Sequence, residues 1–267
     1  MIPFAKTFKL SAALLAAMSL CVRAAEVPKR VDVKQLSKKV EDVVVPLPNE
    51  VFGALNKLGG VNWREYVRND KGANFTERPR IALLLGAVIA DGFIAVQAED
   101  APTVKDIGQR VLTLSKMIGV GNSITAHAKA ITDAADKRNW ASVRQELDKT
   151  QNSVQAAMNE LHDEKLSQLV SLGGWLRGTE VLTAVVTKRY SEEGSELLHQ
   201  PDLLNYFETR LQTMPEFNLK LLQDIHSALV EVRPLIDVGD GHIPPASVKK
   251  INDITTRLGD AITKETP

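Results

Sequence analysis

The sequence predicts an all-α protein, a multi-helix bundle around two central apolar helices that contain glycine. Between residues 80 and 264, apolar side chains recur at the three- to four-residue spacing of a helix face, and no segment alternates convincingly as a strand does. Two stretches, residues 81–96 and 166–186, are apolar on almost every side, which is typical of helices enclosed in a core or a membrane. Aromatic residues make up only 5% of the chain, so we expect the helices to pack mainly through aliphatic side chains.

The N-terminus has the three-part pattern of a secretory signal peptide. Lys6 and Lys9 precede an apolar run over residues 10–22, and two small residues follow soon after it. The run is shorter than the roughly 20 residues that a membrane-spanning helix needs, which favours cleavage over a retained anchor. We therefore expect residues 1–24 to be removed, with a cut after Ala25 as the alternative.

The predicted cleavage also indicates a compartment. It would remove Cys21, the sole cysteine of the sequence, so the mature chain could form no disulfide. Export without disulfides is more typical of the bacterial envelope than of the eukaryotic secretory route. The sequence therefore predicts a soluble periplasmic protein, with secretion beyond the cell as the alternative. A lipoprotein anchored through Cys21 is a second alternative, which Leu20 disfavours because such signals prefer a small residue there.

The balance of charge argues against two classes of partner. The chain has 33 basic and 33 acidic residues, and residues 1–24 hold three basic and no acidic ones, so the mature chain is slightly acidic. A nucleic-acid-binding protein needs a basic face for the phosphates, which this balance does not favour. Charges inside the apolar stretches, Asp91 and Arg177 among them, are costly at bilayer depth, so no stable membrane insertion is expected after cleavage.

Residues 25–79 are predicted to form an N-terminal arm that precedes the bundle domain of residues 80–267. Residues 26–46 are charged and valine-rich and end near two prolines, which forbid a continued helix, so an extended or weakly helical segment is expected. A short helix should follow over residues 49–58, between an asparagine that caps it and two glycines that stop it. A further turn is expected over residues 62–67.

Eight helices are predicted in the bundle domain, most of them delimited by a proline, a glycine or an asparagine. They are expected at residues 80–98, 101–118, 122–137, 139–161, 166–186, 195–214 with a break at Pro201, 215–233 and 246–264. Short, gapped similarities link the first four helices to the last four, such as Leu85-Gly86 with Leu172-Gly173. They have two interpretations, a duplicated four-helix unit and coincidence.

Glycines inside the two apolar helices have two alternative roles. Gly86 and Gly92 lie in the first helix, and Gly173, Gly174 and Gly178 lie in the second. A glycine within a helix costs roughly 1 kcal/mol relative to alanine, so several together imply a reason for keeping them. We favour close approach of two helix backbones, and the alternative is space for a ligand or a deliberate bend.

Asp91, Arg177 and Glu180 are the candidate site residues. Arg177 and Glu180 are one helical turn apart and can pair, and Asp91 would complete an acid-base-acid cluster if the two apolar helices pack together. Such a cluster would be either an ion network that fixes helix register or a polar site for a charged small molecule or peptide end. Trp175 points to a different face of its helix and is expected in the core or at an interface.

No catalytic, metal or cofactor motif accompanies this cluster. The five histidines include no pair at the spacing that puts two metal ligands on one helix face. The mature chain would lack a cysteine nucleophile, and the sequence has no Gly-x-Ser-x-Gly elbow. We therefore expect no metal and no cofactor, and an enzyme finds no support in these motifs.

Two hypotheses of function follow. The first is a periplasmic helical bundle that acts by binding, as a scaffold, adaptor or sensor-like module that contacts an envelope protein or a small ligand. The second is a small-molecule binder or enzyme that uses Asp91, Arg177 and Glu180 in a cavity between the two apolar helices. A dry, fully paired cluster would favour the first, and a water-accessible cavity lined by unpaired charge would favour the second.

Overall fold

The structure is a computed structural model. Ten α-helices make up most of the residues that it describes, and they form the predicted all-α bundle. The described residues are 37–40, 43–46, 48–68, 75–239 and 241–264, so the predicted signal peptide lies outside them. The helices are α1 (Pro48–Leu58), α2 (Arg78–Gln97), α3 (Ala101–Met117), α4 (Gly121–Asp136), α5 (Trp140–Glu160), α6 (Glu164–Lys188), α7 (Glu192–Glu196), α8 (Pro201–Thr213), α9 (Lys220–Ile236) and α10 (Pro245–Thr263). Two 3-10 turns lie at Trp63–Tyr66 and Pro215–Asn218.

Prolines explain one helix break that was predicted and one difference between the predicted and the observed helices. The predicted break at Pro201 separates α7 from α8, which begins at this proline because its missing N–H is tolerated in a first turn. The helix predicted from residue 215 begins instead at Lys220, since Pro215–Asn218 form a 3-10 turn.

Two short strands precede the helices. β1 (Ser37–Val40) and β2 (Val43–Pro46) pair antiparallel, with Ser37 opposite Pro46. An extended segment was expected here, but a strand was not. Valine favours extended backbone, and backbone groups of the two segments pair with each other. The sequence did not indicate this pairing, because apolar and polar residues do not alternate here. The hairpin is a small addition to the helices that make up most of the described residues.

α2 is the central helix of the bundle. Every residue from Ile81 to Val96 is buried. α6 packs along α2, and α3, α5 and α10 also contact it. By length and composition alone α2 could cross a membrane, and it is the one helix of the described part of the chain that passes this test. Within α2, 89% of its apolar 18-residue stretch is buried inside the protein, so the bundle itself provides the apolar surroundings that α2 requires.

The helices fall into two groups of four with the same order of contacts. In the first group α2, α3, α4 and α5 contact one another in chain order, and α5 returns to α2. In the second group α6, α8, α9 and α10 do the same, and α10 returns to α6. The first helices of the two groups pack on each other. This arrangement agrees with a duplicated four-helix unit, which stays a prediction.

Glycine sets the distance between α2 and α6. A Cβ atom on Gly86 would lie 1.9 Å from the backbone oxygen of Val170, and one on Gly173 would lie 2.0 Å from that of Leu83. Because a helix backbone cannot yield locally as a flexible side chain can, both positions require glycine. Gly178 differs, since a Cβ atom there would meet nothing within 4 Å. Close backbone packing therefore explains Gly86 and Gly173 but not Gly178.

Candidate functional site

Asp91 of α2 and Arg177 of α6 form a buried ion pair. Arg177 Nε donates to Asp91 Oδ1 at 2.6 Å, and the two side chains are 5% (Arg177) and 7% (Asp91) exposed. Glu180, one turn further along α6, lies with its Oε2 3.2 Å from Arg177 Nη1. The three residues singled out from the sequence are therefore in contact as an acid-base-acid cluster.

Two groups that follow α1 extend the cluster. Arg177 Nη2 donates to the backbone oxygen of Tyr66 at 2.6 Å. Arg68 Nη2 pairs with Glu180 Oε2. The result is a chain of alternating charge, in the order Asp91, Arg177, Glu180 and Arg68, whose formal charges cancel. We call these four residues the ion cluster. Sequence analysis missed Arg68 because it lies in an irregular segment, where periodicity does not indicate which way a side chain faces.

α10 shapes the space around the ion cluster. Asn252 Nδ2 donates to the backbone oxygen of Glu180 at 2.9 Å and to Thr183 Oγ1 at 3.0 Å. A Cβ atom on Gly259 would lie 2.6 Å from Arg68 Nη2 and 3.1 Å from Glu180 Oε2. Gly259 thus leaves the space that the Arg68–Glu180 pair occupies, and α10 joins α6 in holding the cluster in place.

Burial and neighbouring charge act on Arg177 in opposite directions. Burial disfavours the charged guanidinium, whereas Asp91 and Glu180 attract it and accept its hydrogen bonds. The attraction prevails, and the pKa of Arg177 lies above its ordinary value. Among the cluster's buried side-chain atoms, Arg68 Nη1 has no hydrogen-bond partner within the described residues. The ion cluster is therefore almost fully paired, with Asp91 and Arg177 buried and Arg68 and Glu180 only partly buried, as expected of a network that fixes helix register.

A separate pocket lies between α1, α2, α5 and α6. The gaps between its wall atoms and the open solvent at its mouth together amount to about 660 Å³, of which only a small part could hold a water-sized molecule, and none of the four ion-cluster residues lines it. Its walls include Phe52 of α1, Gln151 of α5 and the α6 residues Trp175 and Gly178, and no ionisable side chain is among the lining residues. The space for a small molecule is therefore neutral, and it is not the charged cavity that the second sequence hypothesis required.

The residues that line the pocket include several with polar side chains. Trp175 Nε1 donates to Gln200 Oε1 at 3.0 Å, and Ser171 Oγ donates to a backbone oxygen of its own helix. Gln151 Oε1 is buried and accepts no hydrogen bond from the described residues. Gln151 Oε1 is therefore closed off from the pocket, whereas the position of Gly178 is open. The glycine was noted from the sequence, whereas nothing in the sequence distinguished Gln151 from other glutamines.

His127 of α4 connects two residues of α5 in an arrangement that resembles a catalytic triad. Its Nε2 lies 3.0 Å from Ser153 Oγ, and its Nδ1 lies 3.0 Å from Glu146 Oε2. Hydrogen bonds from Lys149 and His127 lower the pKa of Glu146. Serine, histidine and carboxylate stand in the order that activates a nucleophile. The seven-residue spacing of Glu146 and Ser153, two turns on one helix face, is the signal that sequence analysis overlooked.

The surroundings of Ser153 do not complete a catalytic site. Ser153 lies inside α5, where backbone N–H groups donate to helix carbonyls and cannot stabilise an oxyanion. It also does not line the pocket described above. Among the described residues, the arrangement therefore provides a nucleophile and a base, but the backbone of α5 around Ser153 offers no oxyanion hole and Ser153 lies outside the pocket between α1, α2, α5 and α6.

Neither a metal nor a charged cofactor has an evident place in the residues described. Among them, no group of three or more His, Cys, Asp or Glu side chains is arranged to hold a metal ion. The lining of the pocket includes no cationic side chain that would bind a phosphate. The expectation that the protein uses no cofactor stays a prediction.

Comparisons of the chain with protein families, with curated proteins and with solved structures find no match. The function proposed below is therefore based on the sequence and on the geometry of the described residues.

Proposed function

We propose that this protein is an exported binding protein of the bacterial envelope, a scaffold, adaptor or sensor-like module. The pocket between α1, α2, α5 and α6 carries the proposal, because it is partly open and has a neutral lining. A ligand in it would meet aromatic, aliphatic, amide and hydroxyl groups but no ionisable side chain that could act on it as an acid or a base.

The ion cluster supports the same function because its buried ion pair, Asp91 with Arg177, is satisfied within the protein and needs no ligand. Arg177 directs Nε to Asp91, Nη1 to Glu180 and Nη2 to Tyr66 O, so each of its nitrogens already has an acceptor. A ligand that bound the guanidinium of Arg177 would have to break a buried ion pair and leave the remaining charge unpaired. The alternative, a binder or enzyme that uses Asp91, Arg177 and Glu180, therefore receives less support than a binding protein with a neutral pocket.

The export part of the proposal is based on the N-terminal sequence. The signal-peptide pattern of residues 1–24 supports a periplasmic location, with secretion as the alternative and a lipoprotein through Cys21 as a weaker one. The partner would be an envelope protein or a small ligand, and the nearly neutral charge of the chain gives no reason to propose nucleic acid.

Export is tested by fractionation and intact mass. We expect the protein produced in a bacterium to be found in the periplasmic fraction, with a mass that starts at residue 25. Changing Leu14 and Leu15 to aspartate interrupts the apolar run, so this variant should keep its full mass and remain in the cytoplasm. Full-length protein in the cytoplasm without these changes would overturn the export part of the proposal.

Binding is tested by thermal unfolding of the dialysed protein with cell extracts. A ligand that binds only the folded chain raises its Tm, so a solvent extract of the bacterial envelope should raise it and an extract of the cytoplasm should not. Cross-linking in intact cells provides the parallel test for an envelope protein as partner. No change in Tm together with no cross-linked partner would overturn the binding function.

A further inference from the structure

We propose that His242, with Glu192 and Glu196, forms a pH-sensitive clasp that holds α7 against the start of α10 more firmly in mildly acidic than in mildly alkaline solution. We call these three residues the histidine clasp. The inference goes beyond the proposed binding function and does not depend on the pocket. It would give a sensor-like module a response to acidity.

The surroundings of the His242 ring are the main observation. Nδ1 lies 2.8 Å from Glu196 Oε1, and Nε2 lies 3.2 Å from Glu192 Oε2. A carboxylate only accepts hydrogen bonds, and a neutral imidazole has a single N–H. The neutral ring can therefore donate to one carboxylate only, and its bare nitrogen then lies beside the negative oxygen of the other. The charged ring has an N–H on both nitrogens and is attracted by both carboxylates.

Two other histidines in the described part of the chain differ from His242. His127 faces one carboxylate and one hydroxyl, and the hydroxyl can donate to its second nitrogen. His226 Nε2 lies 2.9 Å from Gln212 Nε2, an amide nitrogen that donates. Both rings are satisfied when they are neutral. Because His242 has acceptors at both nitrogens, its contacts depend on the charge that histidine gains or loses between about pH 5 and 8.

Charged groups on the neighbouring elements do not replace the two carboxylates. Glu193, the third acid of α7, is exposed, and its negative charge adds to that of Glu192 and Glu196. The charged residues at the adjoining ends of α9 and α10 interact elsewhere: Asp237 with Arg233, Lys249 with Asp253 and Lys250 with Glu231. Within the described residues, the charges in contact with the His242 ring are therefore those of Glu192 and Glu196.

The residue after His242 keeps the ring close to α7. Ile243 is 1% exposed, and its backbone oxygen accepts the hydroxyl of Tyr190 at 2.9 Å. Neither contact requires a charged histidine, so the ring stays within reach of its carboxylates in both protonation states. Just beyond α7, Gln200 Nε2 donates to Leu197 O at 2.6 Å, and Gln200 lines the pocket. α7 thus connects the histidine clasp to a residue of the pocket wall.

Amide hydrogen exchange of the full chain measures how firmly α7 is held. Ser195 N donates to Ser191 O and Leu198 N donates to Ser195 O, both at 3.0 Å, so these two amides report on α7. We express their protection relative to the exchange rate of an unstructured chain at the same pH. It should be about two- to fivefold greater at about pH 5.5 than at about pH 8, the size expected of partly exposed ion pairs. Equal protection at the two pH values would overturn the proposal.

Three variants distinguish a clasp that responds to charge from a contact that is only structural. His242→Gln removes the titrating ring and should abolish the pH dependence at α7. His127→Gln is the matched control, because that ring is satisfied when neutral, and the pH dependence should persist. Glu192→Gln exchanges the negative oxygen for an amide that can donate to the bare nitrogen, so protection at about pH 8 should rise to that at about pH 5.5.

The outcomes identify the titrating group. A pH dependence that persists in His242→Gln, or that is lost in His127→Gln, would place this group elsewhere and refute the clasp. A fall in protection at about pH 8 in Glu192→Gln would show that the contact is only structural and would refute it as well. The Glu192 side chain is 64% exposed, so this variant should fold as the parent chain does. The Tm test of ligand binding is separate, and either proposal can fail without the other.

Discussion

The backbone oxygen of Val170 lies 1.9 Å from the point where a Cβ atom on residue 86 would stand, so α2 and α6 meet backbone to backbone at Gly86. Five residues further along α2, the short side chain of Asp91 reaches Arg177 Nε at 2.6 Å. The close helix contact and the buried ion pair therefore belong to one interface, and a change in the helix spacing would disturb both.

The first prediction concerns this glycine contact. Gly86→Ala should lower the free energy of unfolding by about 3 kcal/mol or more, because the added methyl group meets backbone and the helices must separate. Gly108→Ala is the matched control, since Gly108 also lies inside a helix but has nothing within 4 Å of its missing Cβ. This control should gain about 1 kcal/mol. Urea unfolding of both variants checks the pair, and equal effects would refute the role of Gly86.

The second prediction concerns the Asp91–Arg177 pair. Arg177→Met should destabilise the protein by about 3–5 kcal/mol because it leaves the Asp91 carboxylate buried without its partner. Asp91→Asn should also destabilise it, and the double variant should recover part of the loss. A double-mutant cycle of urea unfolding measures the coupling between the two residues.

An exposed ion pair serves as the control for that cycle. Lys105 Nζ and Asp136 Oδ1 are 2.7 Å apart, with side chains 39% and 56% exposed. Lys105→Met should change the free energy of unfolding by less than about 1 kcal/mol. If the Asp91 and Arg177 variants were as stable as the parent chain, the ion cluster would not be needed for folding, and ligand binding there would become the better interpretation.

The third prediction is a pH dependence at Asp148. Burial raises the pKa of this carboxyl group, and its Oδ1 accepts no hydrogen bond from the described residues. A raised pKa means that the folded chain holds the proton more tightly than the unfolded chain, so stability is lost as the pH rises through the unfolded and then the folded pKa. Asp148→Asn should therefore raise the Tm at pH 7, and the gain should vanish below about pH 3, where the ordinary aspartate is also protonated.

Asp133 provides a control of opposite sign. Its hydrogen bond with Lys129 lowers the pKa of its carboxyl group, so its contribution to stability is present at neutral pH and lost as the pH falls through that lowered pKa. Asp133→Asn should give no increase in Tm at pH 7. An increase of the same size in both variants would show that the gain at Asp148 comes from loss of net negative charge rather than from burial.

The fourth prediction concerns Ser153. The Ser153–His127–Glu146 arrangement has triad distances, but the described surroundings offer no free backbone donors for an oxyanion. Hydrolysis of p-nitrophenyl acetate should therefore proceed at the same rate with the parent chain and with Ser153→Ala. A burst of product that depends on Ser153 would show an acyl-enzyme and would overturn the non-catalytic function proposed above.

The ion pair at the centre of the bundle could be predicted from the sequence because two simple constraints apply. Helices that are apolar on every side must be enclosed, and a charge within them must have a partner. Asp91 and Arg177 satisfy both constraints by facing each other. Local signals were equally informative at helix ends, where Asn139 Oδ1 accepts from Ser142 N at 3.2 Å as its N-cap position predicted.

What the sequence did not reveal depends on elements that meet only in the folded chain. Arg68 reaches Glu180 from an irregular segment, and no periodicity there indicates its direction. The pocket is formed by four helices, and a helical pattern shows which face is buried but not whether the opposing faces fill the space between them. Gly174 and Gly178 lie one turn apart in the same apolar helix, and the sequence gives no reason to assign them different roles. The structure shows the difference: a Cβ atom on Gly174 would lie 3.4 Å from the backbone oxygen of Gly86, whereas one on Gly178 would meet nothing within 4 Å.

The all-round apolar surface of α2 also has a consequence for synthesis of the chain. α2 ends at Gln97, whereas α6 begins only at Glu164. At roughly 5–20 residues per second, the ribosome needs roughly 3–13 seconds to make the chain between these two residues. During that time α3, α4 and α5 cover only part of α2, and the rest of its surface is available to other nascent chains. Until α6 is made, the unfinished chain therefore lacks the helix that covers the largest part of the apolar surface of α2 in the finished bundle.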